Sequence, residues 1–172
     1  KPMNIKSYEL GTDLTFYNGL FDLSYTFSRQ DVKDQIFSVP LAGSTGSSSY
    51  VTNGGKIHTN AHELTLNVAP YRSGEFKWNF AFNFSKIDNY VDELKEGVES
   101  IFLGGFVEPQ IRAGIGAKYP VIYGNSYLRN DAGQIVVDAD GMPQSGGEQV
   151  IGTVAPDFML GFNTSLEYKK VR

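Results

Sequence analysis

Cysteine is absent from the 172 residues, which excludes a disulfide framework, thiolate metal sites and a cysteine nucleophile. Histidine is scarce, with two residues, and no basic run occurs: 15 Lys and Arg stand against 19 Asp and Glu, a net charge of −4. The electrostatic footprint of nucleic-acid binding is therefore missing, and nucleic acid is not an expected partner. No apolar run approaches the roughly 18 residues of a transmembrane helix, and the mean hydropathy is −0.25. That excludes a helical membrane protein but leaves a β-barrel open. Residues Lys1 to Lys6 contain no apolar h-region, so no secretory signal is visible there. What the chain has in quantity is aromatic side chains, with 12 Phe, 10 Tyr and one Trp.

These aromatics sit in a period-two alternation, which on an extended strand sends every second side chain to one face. Five runs carry it. Tyr8, Leu10, Thr12, Leu14 and Phe16 alternate with Ser7, Glu9, Gly11, Asp13 and Thr15. Phe21, Leu23, Tyr25 and Phe27 then alternate with Asp22, Ser24, Thr26 and Ser28. Between them, Tyr17-Asn18-Gly19-Leu20 supplies through Asn-Gly the positive φ angles of a two-residue hairpin turn. A third run sets Leu64, Leu66 and Val68 against Glu63, Thr65 and Asn67 and ends at Pro70. The fourth places Phe76, Trp78, Phe80, Phe82 and Phe84 opposite Lys77, Asn79, Ala81, Asn83 and Ser85, after a turn at 70–74. The fifth places Phe158, Leu160, Phe162, Leu166 and Tyr168 opposite Gly161, Asn163, Ser165 and Glu167.

The expected strands lie near 6–16, 21–36, 56–69, 75–88 and 157–169. Short turns follow the first and third, and long connectors near 38–54 and 89–156 follow the second and fourth. The longer connector has internal order: Gln134 to Asp138 reads as a strand and Asp138-Ala139-Asp140-Gly141 as a turn, so it reads as a small folded loop. No helix is expected beyond a possible turn at 92–96, and no internal repeat is visible beyond the hairpin rhythm.

A soluble antiparallel sandwich also alternates. Three features favour a membrane barrel. Runs of about 10 residues match the 9–11 that cross a tilted hydrocarbon layer. Short turns and long loops segregate as periplasmic turns and extracellular loops do. Aromatics gather beside the short turns, at Phe16, Tyr17, Phe21, Tyr71, Phe76 and Tyr168, as an interfacial girdle requires. A one-residue slip would turn Asp13, Glu63, Lys77 and Glu167 toward lipid, and Lys at the midplane costs about 2–4 kcal/mol. The polar face is therefore expected toward a lumen, and Leu14, Phe16, Leu23, Tyr25, Leu66, Trp78, Phe80, Phe82, Phe84, Leu160 and Phe162 toward lipid. The expected fold class is all-β, an antiparallel up-and-down meander. Five strands do not close a barrel, so the chain is expected to supply a segment of a larger transmembrane one.

Several motifs support this reading by resemblance. Lys6 to Gly11, Asp31 to Ile36, Glu63 to Asn67, Trp78 to Ser85, Ile122-Tyr123-Gly124 with Tyr127-Leu128-Arg129, and Gly133 to Asp138 resemble, in order and spacing, the barrel of SusC/RagA-type TonB-dependent outer-membrane transporters. The resemblance implies import of oligosaccharides or peptides across the bacterial outer membrane. It further implies a SusD-like surface lipoprotein and TonB as partners, with no enzyme activity. The aromatics of the long loop, Phe102, Phe106, Tyr119, Tyr123 and Tyr127, are candidates for ligand or partner contact, although packing within the loop is the commoner use of such residues. The alternative is a soluble secreted β-sandwich, such as a carbohydrate-binding module.

Other motifs carry less. His58 and His62 stand four apart beside Glu63, but on a strand or loop and without H-E-x-x-H order. Asp138 to Gly141 lacks the fifth and sixth positions of an EF-hand, where Met142 and Pro143 stand, and reads as a β-turn. Gly114-Ile115-Gly116-Ala117-Lys118 lacks phosphate-loop spacing. Glu93, Glu96, Glu99 and Glu108 offer no selected glycosidase pair, and no G-x-S-x-G elbow occurs. No cofactor or metal is expected.

Overall fold

The computed structural model describes residues 1–41 and 43–169. It contains eleven strands: β1 (Asn4–Phe16), β2 (Phe21–Lys33), β3 (Ile36–Pro40), β4 (Ser49–Asn53), β5 (Gly55–Ser73), β6 (Phe76–Leu94), β7 (Ser100–Gly105), β8 (Gln110–Gly114), β9 (Val121–Tyr127), β10 (Ser145–Thr153) and β11 (Met159–Tyr168). They form a five-stranded sheet in the order β1-β2-β5-β6-β11, a four-stranded sheet β10-β9-β8-β7 and the hairpin β3-β4. Tertiary contacts divide the chain into two units. One takes Lys1–Asn4, Val32–His58 and Asn89–Ala155; the other takes Ile5–Asp31, Thr59–Asp88 and the segment from Pro156 onward.

The second unit is built from the alternating runs. β11 pairs antiparallel with β6 in unbroken register, Leu160 opposite Phe84, Phe162 opposite Phe82 and Leu166 opposite Trp78. Because side chains alternate faces, one register places all the aromatics of β6 beside the apolar side chains of β11. Nothing packs over them: Leu10 is 75% exposed, Leu160 72% and Phe162 59%. Among the described residues of this unit only Ala69 is buried. A sandwich would bury these side chains between facing sheets, so the bare face weighs against that alternative.

Strand limits differ from the sequence expectation in instructive ways. β2 stops at Lys33 rather than 36, where Asp34 takes a φ of 58° and the chain turns into β3. β5 continues through Pro70 to Ser73, so the turn into β6 is Gly74-Glu75 alone. The last backbone link to the preceding hairpin is Ala69 N to Leu20 O, 2.9 Å; beyond it β5 and β6 continue as a ribbon, in which the missing proline N–H removes one rung and not the strand. β6 runs to Leu94, so residues 92–94 are strand and not a helical turn. The first hairpin uses three left-handed residues, Tyr17 (φ 52°), Asn18 (φ 55°) and Gly19 (φ 77°), in place of a two-residue turn.

The first unit holds the buried cluster. Val32, Phe37, Ile57, Val91, Ile101 and Ala113 pack together, with Leu94, Val98 and Tyr119 against them. The segment 38–54 is largely the β3-β4 hairpin, paired from Ile36 opposite Asn53 to Pro40 opposite Ser49, and 89–156 contains the four-stranded sheet.

Residues 134–138 are not a strand. Ile135 and Val137 make isolated bridges to Arg129 and Pro143, because two tight turns eight residues apart fold the chain back on itself. In the first, Asn130 Oδ1 accepts from Ala132 N (3.1 Å) and Gln134 N (2.9 Å), with Gly133 at φ 77°. In the second, Asp138 Oδ1 accepts from Asp140 N and Met142 N, both at 2.9 Å, with Gly141 at φ 81°. This is an internal repeat that the hairpin rhythm does not disclose. Three backbone bonds close the arrangement: Leu128 N to Gln144 O (2.9 Å), Gln144 N to Val136 O (2.9 Å) and Val136 N to Leu128 O (2.8 Å). Asp138→Ala removes the acceptor of two backbone N–H groups, each bond contributing about 1 kcal/mol. Amide exchange at Asp140 and Met142 is expected to accelerate while Ala132 and Gln134 keep their protection; equal acceleration at both turns would show that they do not hold independently.

Candidate functional site: a two-faced sheet and a loop surface

The two faces of the five-stranded sheet have different chemistry. On one, polar side chains bond across strands. Ser24 Oγ donates to Asp13 Oδ1 at 2.6 Å, Thr15 Oγ1 to Asp22 Oδ1 at 2.8 Å, and Thr65 Oγ1 to Asn83 Oδ1 at 3.1 Å. Lys77 and Glu167, directly opposite in register, stand 4.0 Å apart. Toward the short turns this face has a shallow hollow lined by Asp22, Asn67, Arg72, Asn79, Asn163 and Ser165. Such a surface suits water or polar ligand groups, each acceptor having a nearby donor.

The other face is aromatic. Trp78 and Phe80 have centroids 4.6 Å apart, Phe82 and Phe162 4.9 Å, and Phe80 and Phe162 5.9 Å. Leu14, Phe16, Tyr25, Trp78, Phe82, Leu160 and Phe162 are exposed, while Leu23, Leu66, Phe80 and Phe84 are half-buried by their neighbours. Two pairs of polar groups here bond on the same face. The Trp78 indole donates to Thr164 Oγ1 at 3.1 Å, and that hydroxyl lies 3.3 Å from Asn79 O. Tyr25 Oη and His62 Nδ1 are 2.9 Å apart. Pairing of this kind lowers the cost of a polar group in an apolar medium, which unpaired reaches several kcal/mol. Thr164 and His62 carry no signal in the alternation except as polar residues at apolar positions.

Rings also cluster by the short turns. Tyr17 meets Phe21 edge-on at 6.2 Å and Tyr71 meets Phe76 at 5.3 Å. Lys169 Nζ lies 5.4 Å from the Tyr168 ring and 3.5 Å from Glu75.

In the loop unit the five candidate aromatics divide. Tyr119 packs on the buried cluster. The Tyr123 ring lies 4.6 Å from the Arg112 guanidinium, and its hydroxyl donates to Glu148 O at 3.1 Å. Arg112 is itself held by Gln110 Oε1 at 2.7 Å and Ser100 Oγ at 3.1 Å, so Tyr123 serves the packing of its own sheet. Phe102 is partly open, whereas Phe106 and Tyr127 project from the surface. Glu108 is pinned across β9, accepting from Asn125 N and, at 2.9 Å, from Asn125 Nδ2. An open crevice beside Tyr127 is lined by Asn125, Ser126, Pro143, Ser145 and Ile151.

The remaining sequence motifs are accounted for locally. His58 stacks on Tyr90 at 5.3 Å and bonds Asp92 at 2.7 Å, and among the described residues no three His, Asp or Glu side chains group as metal ligands. The Asp138 carboxylate spends one oxygen on its own turn. Gly114 to Lys118 is the end of β8 and a turn, with no helix following.

The chain is similar to known proteins over nearly its whole length. TonB-dependent receptor P3 of Formosa agariphila is 29% identical over 189 aligned residues, covering 95% of this chain and 19% of that protein. TonB-dependent receptor P26 of the same organism is 25% identical over 96% of this chain. The structure of the RagAB peptide transporter superposes with a TM-score of 0.78 at 20% identity, covering 97% of this chain and 20% of that one. The RagAB peptide importer in its closed-closed state superposes at 0.74 and 18% identity. The chain thus spans about a fifth of the length of these relatives. These relatives are receptors and transporters by name, in keeping with the SusC/RagA-type motifs. The family model described as TonB dependent receptor-like, beta-barrel matches residues 1–169, so the two-faced sheet with its folded loop belongs to the TonB-dependent receptor-like β-barrel family.

Proposed function

We propose that these residues form part of the wall of an outer-membrane TonB-dependent importer. The aromatic sheet face meets lipid, the polar face meets the lumen, and the loop unit stands on the extracellular side. The observation that carries this reading is the aromatic face itself: five strands of apolar side chains with nothing packed over them, far beyond the exposed patch a water-soluble monomer tolerates. The cargo is an oligosaccharide or a peptide; the likeness to the RagAB peptide transporter supports the second. A SusD-like lipoprotein and TonB act with the whole protein, and Phe106 and Tyr127 are the loop aromatics best exposed for a ligand or partner. The single tryptophan of this segment supplies the test. In the full-length protein, with its other tryptophans replaced, Trp78 emission is expected to be quenched by brominated lipid in vesicles. Unquenched emission from a monodisperse, detergent-independent protein would sink the proposal.

A further inference from the structure

The alternation on the aromatic face continues beyond the apolar band on four of the five strands, and its chemistry changes there. On β1 the series Phe16, Leu14, Thr12, Leu10, Tyr8 goes on to Lys6. On β2 the series Phe21, Leu23, Tyr25, Phe27 goes on to Arg29 and Asp31. On β5 Val68, Leu66 and Leu64 lead to His62 and Asn60, and on β6 Phe84 leads to Lys86 and Asp88. Arg29 bonds Asp31 at 3.0 and 3.1 Å and reaches Asn60 at 3.4 Å, while Lys86 stands 3.3 Å from Asp88. All of these residues belong to the sheet unit.

The change is oblique to the hydrogen-bonded rows. The contacts Gln30–Ser7, Ser24–Asp13 and Thr15–Asp22 keep one offset between β1 and β2. They place Tyr8 level with Arg29 and Leu10 level with Phe27, so the apolar series on β1 reaches one outward residue further. Phe27 lies 5.0 Å from the His62 ring and Arg29 beside Asn60, so on β5 the change comes one outward residue earlier again. The Thr65–Asn83 bond sets Leu64 level with Phe84, with no further step. On β11 Leu160 is level with Phe84, and Phe158, just before the strand, folds back over Phe84 with centroids 6.2 Å apart. Two outward residues are four along the strand, about 13 Å, over three strand spacings of about 14 Å. From β1 to β6 the boundary therefore crosses the rows at about 40°, within the 35–45° at which barrel strands tilt.

We infer that this oblique line is the seam between hydrocarbon and headgroups of one leaflet, and that the Arg29–Asp31 and Lys86–Asp88 pairs dock among the lipid headgroups. A row of hydrogen-bonded residues then climbs through the membrane, and a straight row of equal chemistry would not. Arg29 and Lys86 are each matched by an acid about 7 Å along the same face, so these pairs present both signs, as a headgroup layer does. The inference rests on the outer-membrane reading and adds the depth and tilt at which the sheet sits.

The test uses the full-length protein in phosphatidylcholine vesicles, with nitroxides at single cysteines; these 172 residues hold no native cysteine. Labels at Tyr8→Cys, Phe82→Cys, Phe84→Cys and Asp88→Cys report oxygen against nickel-chelate accessibility. Phe82 and Phe84 are expected in hydrocarbon and Asp88 among headgroups. Tyr8 shares a row with Asp88 but is expected about 9 Å deeper, from three strand spacings at this tilt. Equal depths for Tyr8 and Asp88, or Asp88 in hydrocarbon, would overturn the inference while leaving the membrane reading intact. A water-exposed label at Phe82 would overturn both. Tyr8→Trp and Phe84→Trp, read against lipids brominated at different depths, give the same comparison without a label.

Discussion

Phe82→Arg is expected to cost the membrane-inserted sheet about 2 kcal/mol, below the full midplane penalty of about 2–4 kcal/mol for a cation on a lipid face because Phe82 lies nearer the edge of the apolar band. Phe82 lies one outward residue inside Phe84, where the apolar series ends, stands directly opposite Phe162 and touches its ring at 4.9 Å, so the substituted side chain has apolar neighbours on every side but its own backbone. Long side chains relieve part of such a cost by reaching the interface, and at Phe82 the edge beyond Phe84 is about 7 Å away along the strand. The informative control is one residue away. Asn83→Arg places the same charge on the polar face, where it loses one 3.1 Å bond with Thr65, worth about 1 kcal/mol. Urea unfolding of the reconstituted full-length protein reads both. Equal losses at 82 and 83 would mean that the two faces meet the same medium, and the lipid assignment would fail.

Phe37→Ala is the second large effect, expected at about 3–5 kcal/mol and confined to the loop unit. Phe37 is 4% exposed and packs in the cluster with Val91, which is fully buried, and Ile101. It is the bulkiest of the buried cluster, and only it and Val32 come from the β2–β3 stretch of the chain. The neighbourhood cannot close over the void cheaply, because Gly55 already leaves no space: a Cβ there would lie 2.8 Å from the Phe37 ring. Hydrogen exchange is expected to rise through β3, β4 and β7 while the β6-β11 ladder from Phe76 to Ser85 is unchanged. Loosening of both together would show that the two contact units fold as one.

The contrast between these two predictions reflects what the amino-acid order can disclose. Each strand of the five-stranded sheet is written locally, since every second residue faces one medium and the medium is uniform along the band. Phe76 to Phe84 names its own face without knowledge of its neighbours. Beyond the band that logic stops. The fourth strand is expected to end near 88, with 89–94 given to the connector, although β6 continues to Leu94, because the face has by then left the apolar series and only the cross-strand bonds still hold the backbone extended. The loop core was not legible at all. Val32, Ile57, Val91, Ile101 and Ala113 are isolated in sequence and meet only through long-range contacts, with no periodicity to join them. The candidate loop aromatics show the same limit: nothing local distinguishes Tyr119, which packs inward, from Tyr127, which does not. The eight-residue spacing of Asn130 with Gly133 and Asp138 with Gly141 was in plain view, but two short turns carry too few residues to stand out as a repeat.

The small cycle at residues 128, 136 and 144 has a topological consequence. Three segments bonded in a ring have no first or last member, so none offers a spare row of donors and acceptors to a passing strand, in the way that the margin of an open sheet does. A loop built this way can stand in a crowded space among other chains and stay unrecruited. Change is then confined to the tips at Asp131-Ala132 and Ala139-Asp140, which can vary in length or chemistry while the ring behind them keeps its form.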